Sequence, residues 1–265
     1  MKTIKIGPPK NPDYIKWLAW MDPAIRDRFD SIPRAYEGQT VFVLGGGPSI
    51  RTTNLKLIKD RPVLGCNDAW RLGDWVDWMV FADRRWFFWE REGLQTWQEL
   101  ERWQNRENVI GLVPQLLNLT EEEVECGEEY HRYTVMVKRR KTPKWPWLKV
   151  VRRDEARFGL SVEQDTVCWN RGCGGAAINV AYLLGAKQVV LLGFDMQMVK
   201  GEHNWHNHHQ KEERPQIYQN SMRPFMKCFS DALKVTSLQV VNATPGSALD
   251  VFPVMPLEEV LEMGW

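Results

Sequence analysis

Three consecutive glycines, Gly45, Gly46 and Gly47, followed by Pro48 and Ser49, stand directly behind the apolar run Thr40–Leu44. Glycine lets a backbone turn tightly and present its N–H groups to an anion, and a helix N-terminus behind the turn adds a favourable dipole. Phosphate is the guest that such a turn suits. Pro48 fixes φ, and Ser49 is placed to cap the following helix and to bond a phosphate oxygen. The run is not a P-loop, because the Lys-Ser/Thr pair is missing, and it departs from the GxGxxG spacing of the dinucleotide fingerprint. A tight strand-to-helix turn that holds no ligand is the alternative reading.

Polar residues recur in the same relation to other apolar runs. Pro62–Cys66 ends at Asn67 and Asp68, Trp78–Ala82 at Asp83, and Gln188–Leu192 at Gly193, Phe194 and Asp195. In doubly wound sheets ligands bind outside the carboxyl ends of the strands, so these residues are expected to converge on the glycine turn. An asparagine there bonds a ribose or a base edge, and a carboxylate bonds hydroxyls or holds Mg²⁺ between phosphates. Asp83, with Arg84 and Arg85 behind it, and Asp195 are equally compatible with salt-bridged strand ends. Beyond Asp195 a loop carries four of the five histidines, His203, His206, His208 and His209. No cysteine or carboxylate stands at helpful spacing from them, so no metal site is assigned. A loop that leaves a strand into a cleft sets an imidazole against an acceptor hydroxyl near neutral pH, which makes His203 and His206 the candidate general bases.

The elements that must position these residues follow from the apolar pattern. Residues 1–38 are polar and proline-punctuated, a lead-in with short helices expected at Tyr14–Trp20 and Pro23–Phe29. Residues 39–265 read as one Rossmann-like α/β domain, a mostly parallel sheet with helices on both faces and a small lid or insert. Its strands are the runs already named, together with Asn108–Val113 and Gln239–Asn242. Helices are expected at Leu55–Lys59, Trp86–Gln104, Gly172–Gly185, Gln216–Val235 and Leu257–Met263. From about 120 to 167 the pattern dissolves into an acidic run (Glu121, Glu122, Glu123, Glu125) and a basic run (Lys138–Lys141), which reads as the insert or lid with solvated charged faces.

Composition narrows the function. A length of 265 residues suits one large domain, and 43% hydrophobic with 26% charged residues is the balance of a soluble globular chain. The 35 Lys and Arg against 34 Asp and Glu exclude a global positive field for nucleic acid, so partners are read from local sites. No segment approaches the roughly 18 apolar residues of a membrane span and the N-terminus has no apolar signal core, so a cytoplasmic protein without membrane contact is expected. The five cysteines are scattered without CxxC spacing and read as reduced thiols. Fourteen tryptophans, many between Trp70 and Trp103, fit core packing or a stacking surface.

Taken in order, Val43–Ser49, Cys66-Asn67-Asp68, Gly172–Lys187, Leu191–Asp195, the histidine loop and Val241–Pro253 resemble one superfamily. It holds the bacterial monofunctional sialyltransferases, the Maf-type flagellin glycosyltransferases and the 6-hydroxymethylpterin diphosphokinase-like proteins, phage-encoded members included. The resemblance spans roughly residues 40–85 and 168–260. It implies that Gly45, Gly46, Gly47 and Ser49 with Asn67 hold a CMP- or UDP-type nucleotide-sugar donor. Cys173 and Gly174 take the place of a donor-contacting Ser-Gly pair, with cysteine standing where that branch has serine, and His203 or His206 is the base. The insert lacks an obvious tyrosine pair for the donor phosphate, although Tyr130 and Tyr133 are present.

The leading expectation is thus a glycosyltransferase whose turn grips the donor phosphate, with Asn67 and Asp83 reading ribose or sugar hydroxyls. The alternatives are a Mg²⁺-dependent pterin-type diphosphokinase, in which Asp68, Asp83 or Asp195 bridges the metal, and a non-catalytic nucleotide-binding protein. The acceptor, whether glycan, protein or DNA, and the assembly state, a homo-oligomer included, are left open.

Overall fold

The computed structural model describes residues 29–82, 108–113, 148–154, 157–170, 172–206 and 236–265. The helices expected at Tyr14–Trp20, Trp86–Gln104 and Gln216–Val235, most of the one at Pro23–Phe29, and Asp83, His208 and His209 lie outside them.

Eight strands form one sheet: β1 (Thr40–Leu44), β2 (Val63–Cys66), β3 (Trp78–Phe81), β4 (Val109–Val113), β5 (Leu148–Asp154), β6 (Thr166–Cys168), β7 (Gln188–Leu192) and β8 (Gln239–Asn242). Their order is β6-β5-β4-β3-β2-β1-β7-β8, and every pairing is parallel. This is the expected Rossmann-like α/β class. A parallel sheet covered on both faces needs apolar residues at successive positions, and the central strands supply them. Val41 and Val43, with Val189 and Leu191, enter one core, while Phe42 and Leu44, with Val190 and Leu192, enter the other.

Helix α1 (Cys173–Leu183) fills the first core through Ala176, Ala177, Ile178, Val180 and Ala181. It is the crossover from β6, at one edge, to β7, on the far side of β1. An eleven-residue helix is about 16 Å long, against about 29 Å for six inter-strand steps, so flanking segments complete the span. Helix α2 (Leu257–Glu262) contributes Leu257 and Val260 to the second core, beside Ile50, Ile58 and Trp70 from the β1–β2 and β2–β3 connections.

Two expectations change. The helix expected behind the glycine turn, at Leu55–Lys59, is instead a pair of four-residue 3-10 turns, Pro48–Arg51 and Leu55–Ile58. Thr52 and Thr53 direct both their backbone N–H groups and their hydroxyls to the Ser49 carbonyl, which stops the helix before it forms. The insert expected over 120–167 supplies strands β5 and β6 of the sheet, while 114–147 lie outside the described residues. These strands were hidden because polar residues share their buried positions with Val151 and Val167. Arg152, 5% exposed, donates to Thr166 Oγ1 and to Glu163, and Asp154, 2% exposed, pairs with Arg157. A charge buried in this way persists only when paired.

Residues 29–38, the described end of the lead-in, are tied to the domain. Ile32 is buried and its N–H donates to the Gln164 carbonyl, and Tyr36 N–H donates to Leu184 at the end of α1.

A Cβ added at Gly47 would stand 1.8 Å from Asp195 Oδ2 and 2.7 Å from the Gly193 carbonyl, whereas at Gly172 nothing lies within 4 Å. Gly47→Ala is therefore expected to cost about 3 kcal/mol. Gly172→Ala, at an extended φ of −175° open to any residue, leaves stability near the parent's. Thermal melts of the two variants check this contrast, and equal losses would contradict it.

Candidate functional site

The order of the strands places a switch point between β1 and β7, because the chain runs outward from β1 to β6 and then returns to the other side of β1. The glycine turn follows β1 there, and Gly193-Phe194-Asp195 follows β7. The two turns close on each other: Gly45 N–H donates to the Leu192 carbonyl at 2.7 Å and Gly47 N–H to the Gly193 carbonyl at 2.8 Å. Ser49 N–H donates to Asp195 Oδ1 at 3.1 Å and Ser49 Oγ to Asp195 Oδ2 at 2.7 Å.

This corrects the picture of a ring of amides aimed at an anion. The amides of Gly45, Gly47 and Ser49 are spent on β7 and its turn, which leaves the Gly46 N–H as the turn's donor among the described residues. Ser49 neither caps a long helix nor offers its proton outward, because the helix dipole expected behind it is absent and its hydroxyl serves Asp195. Asp195 itself, 3% exposed, accepts both of these hydrogen bonds. Burial pushes its carboxyl above the usual range, and the two Ser49 bonds pull in the opposite direction.

The Gly193–Asp195 turn is in turn held from β8. Phe194 N–H donates to Thr244 Oγ1 at 3.0 Å, Ser247 Oγ donates to the Phe194 carbonyl at 2.6 Å, and Ala248 N–H donates to the Asp195 carbonyl at 2.8 Å. Asn242, fully buried, donates to the Leu249 carbonyl and accepts from Thr244 N–H, which fixes the segment that carries these groups. Gly193 takes φ +74°, and a Cβ there would press 2.6 Å from Ile50. No bulkier residue fits so close beneath the glycine turn.

Beside this knot, β2 delivers Asn67 and Asp68. Asn67 adopts φ +48°, the left-handed region that asparagine enters more readily than most residues, and so redirects the chain into the 3-10 turn Asn67–Leu72. Its Oδ1 accepts from the Cys173 thiol at 3.5 Å, and the Cys66 thiol donates to the Cys173 carbonyl at 3.7 Å. Cys173 and Gly174 open helix α1, and Gly174 lies so near Phe194 that a Cβ would stand 2.8 Å from the ring. Burial pushes the Cys66 thiol well above its ordinary range, with the nearby Cys173 adding to the rise, so Cys66 is an inert packing thiol.

The loop after β7 closes the site from the other side. Trp205 N–H donates to the Gly46 carbonyl at 3.0 Å, and the Asn204 side chain lies against Gly46. His206 follows, with its Nδ1 2.8 Å from Asp68 Oδ2; their side chains are 4% and 1% exposed. The Trp205 indole stands edge-on to the imidazole, ring centroids 5.1 Å apart. The His206 and Asp68 side chains thus stand at ion-pairing distance inside the protein.

The structure thus gathers Gly45, Gly46, Gly47, Ser49, Asn67, Asp68, Cys173, Gly174, Asp195 and His206 at one edge of the sheet. His203 lies three residues before His206 in the same loop. The sequence offered Asp68 for substrate hydroxyls or Mg²⁺, and the structure sets its Oδ2 2.8 Å from His206 Nδ1, a neighbour that nothing in the local sequence signals. No group of three or more His, Cys, Asp or Glu suited to a metal ion occurs among the described residues, and no helix there is long and apolar enough to cross a membrane.

Fold and site together define a Rossmann-like α/β protein with a histidine 2.8 Å from a buried carboxylate at its switch point. No protein-family model and no curated protein matches the chain. Among solved structures it is similar to the sialyltransferase CstII from Campylobacter jejuni, solved in complex with a substrate analogue, cytidine-5'-monophosphate. The identity is 14% over 83% of this chain and 86% of that one, with a TM-score of 0.46.

Removing the Asp195 carboxylate strands the amide and hydroxyl of buried Ser49, at about 1–3 kcal/mol for each unpaired group. Asp195→Ala is expected to lower the melting temperature by several degrees, while Asp195→Asn, which still offers an acceptor, loses less. The pH dependence has a definite sign. A carboxyl whose folded value lies above the ordinary 3.8 contributes stability that is full below that value and lost as pH rises through the folded one. Relative to the parent, Asp195→Asn therefore becomes less stable as pH falls from neutral to about 4. Melts of both proteins across that range measure it, and a constant difference would refute the assignment.

Proposed function

We propose that this protein is a glycosyltransferase-like enzyme that binds a nucleotide-activated sugar of the CMP or UDP type at the carboxyl edge of β1, β2 and β7. His206 is its general base and Asp68 the residue that orients it. The observation that carries the reading is the buried His206–Asp68 pair at the switch point. A carboxylate facing Nδ1 fixes the ring's tautomer and stabilises the imidazolium formed when Nε2 takes a proton from an acceptor hydroxyl. The residues that the superfamily resemblance assigns to the donor surround that pair, which supports a donor site and a base in one place.

In this reading the Gly46 N–H and the Asn67 side chain are the polar groups that meet the donor, while Gly45, Gly47, Ser49 and Asp195 hold the edge in shape. His206 removes the acceptor proton as the acceptor oxygen attacks the anomeric carbon, and the nucleotide departs with the bonding electrons. Positioning and proton transfer supply the catalysis, with the Gly46 N–H and the Asn67 side chain meeting the charge on the leaving phosphate. Metal-bridged phosphoryl transfer fits less well, because Asp68 and Asp195 are each committed to a protein partner.

A thermal-shift panel of CMP, UDP, GDP and ADP derivatives, with and without Mg²⁺ or Mn²⁺, tests the donor class, since a ligand of the native state raises the melting temperature. A shift with CMP or UDP in the absence of metal is expected. A shift with Mg-ATP alone would sink the reading in favour of phosphoryl transfer, and no shift at all would sink it in favour of a non-catalytic role. With the donor that binds, His206→Ala is expected to spare binding and lower kcat by about 10²–10⁴-fold, with Asp68→Asn in the same direction. Unchanged turnover in His206→Ala would remove the base assignment.

A further inference from the structure

His206 sits on a loop rather than on a strand or helix, so something must hold the imidazole to its carboxylate partner. The loop begins with a tight reversal in which Val199 and Glu202 exchange backbone hydrogen bonds, each 3.0 Å, around Lys200 and Gly201 at φ +52° and +79°. From there to Trp205, three hydrogen bonds run to one segment, the glycine turn and the 3-10 turn behind it. The Gly46 carbonyl accepts from Trp205 N–H at 3.0 Å. Arg51, the last residue of that 3-10 turn, donates its Nε–H to the Trp205 carbonyl at 2.6 Å and pairs through Nη1 with the Glu202 carboxylate. Both peptide groups of the residue next to His206 are therefore fastened to the segment after β1, one by backbone and one by a side chain.

We propose that Arg51 is a positioning residue for His206, acting through the Trp205 carbonyl and Glu202 to set the ring against Asp68. The guanidinium is suited to this task. Its planar fork presents several N–H groups in fixed directions, so a single side chain serves the carbonyl and the carboxylate at once, which a lysine cannot copy. Arg51 touches no reacting group in this scheme. Its consequence for turnover rests on the base assignment proposed for His206, whereas its consequence for the ring does not.

The experiment follows the His206 ring resonances by NMR against pH in the protein without ligand, with assignment by loss of the signal in His206→Gln. In Arg51→Gln the His206 resonances are expected to shift and their titration midpoint to move. Arg51→Lys keeps a charge for Glu202 but not the fork, and Glu202→Gln leaves the carbonyl bond in place, so each gives a smaller displacement. With the donor that binds, Arg51→Gln lowers kcat by about tenfold to a hundredfold, as misplacement of a catalytic group does, while KM stays near the parent's. A His206 titration in Arg51→Gln that overlays the parent's would overturn the proposal. So would an equal displacement in all three variants, which would mean general loosening. A moved titration with parental kcat would leave Arg51 as the positioning residue and remove instead the role of His206 as base, so the two failures are distinguishable.

Discussion

The Asp195 carboxylate is the interaction on which the site depends. It lies under the glycine turn, with Ser49 as its donor twice over, and the residue that bears it is held from the β8 side by Ala248, with Ser247 and Thr244 holding its neighbour Phe194. Three segments far apart in the chain, those after β1, β7 and β8, meet through this one group. Its cost is burial of an ionisable oxygen pair, visible in the upward push on its proton affinity. What that cost secures is a fixed platform, since each buried polar group of the knot finds a partner.

A rigid platform explains how a loop can hold a side chain in place. Catalytic groups need placement within fractions of an ångström, which regular elements supply more readily than connections do. Here the loop after β7 takes its geometry from the glycine turn, and β2 brings Asp68 from the other side. The histidine is thus located by two independent arms of the sheet.

Much of the fold was legible in the sequence because a parallel sheet with two covered faces demands continuous apolar runs. Val41–Leu44 and Val189–Leu192 could hardly be anything else. β5 and β6 escaped because buried Arg152 is matched by Thr166 and buried Asp154 by Arg157, and a pattern of apolar residues cannot report polar pairs that are compensated only in three dimensions. The same limit governed the site. Which residues meet at this edge of the sheet was readable from the order of the strands, and Asn67, Cys173, Gly174 and His206 do come together. The division of labour was not, because it turns on which donor meets which acceptor: the sequence could suggest that Ser49 and Asp195 lie near each other, but not that they would consume each other's hydrogen-bonding capacity.

The placement of β1 between β2 and β7 also bears on how the chain comes to be folded. Thr40 and Gln188 pair side by side although 148 positions separate them, so the closing of the sheet's centre is a long-range event. Contacts of such sequence separation carry a large loop-closure entropy and slow the search for the native state. During synthesis β1 emerges with one flank unpaired and keeps it so until β7 and its turn leave the ribosome. For that interval the glycine turn has neither its carboxylate nor its carbonyl partners, and the growing chain exposes an apolar strand edge of the kind that invites mispairing.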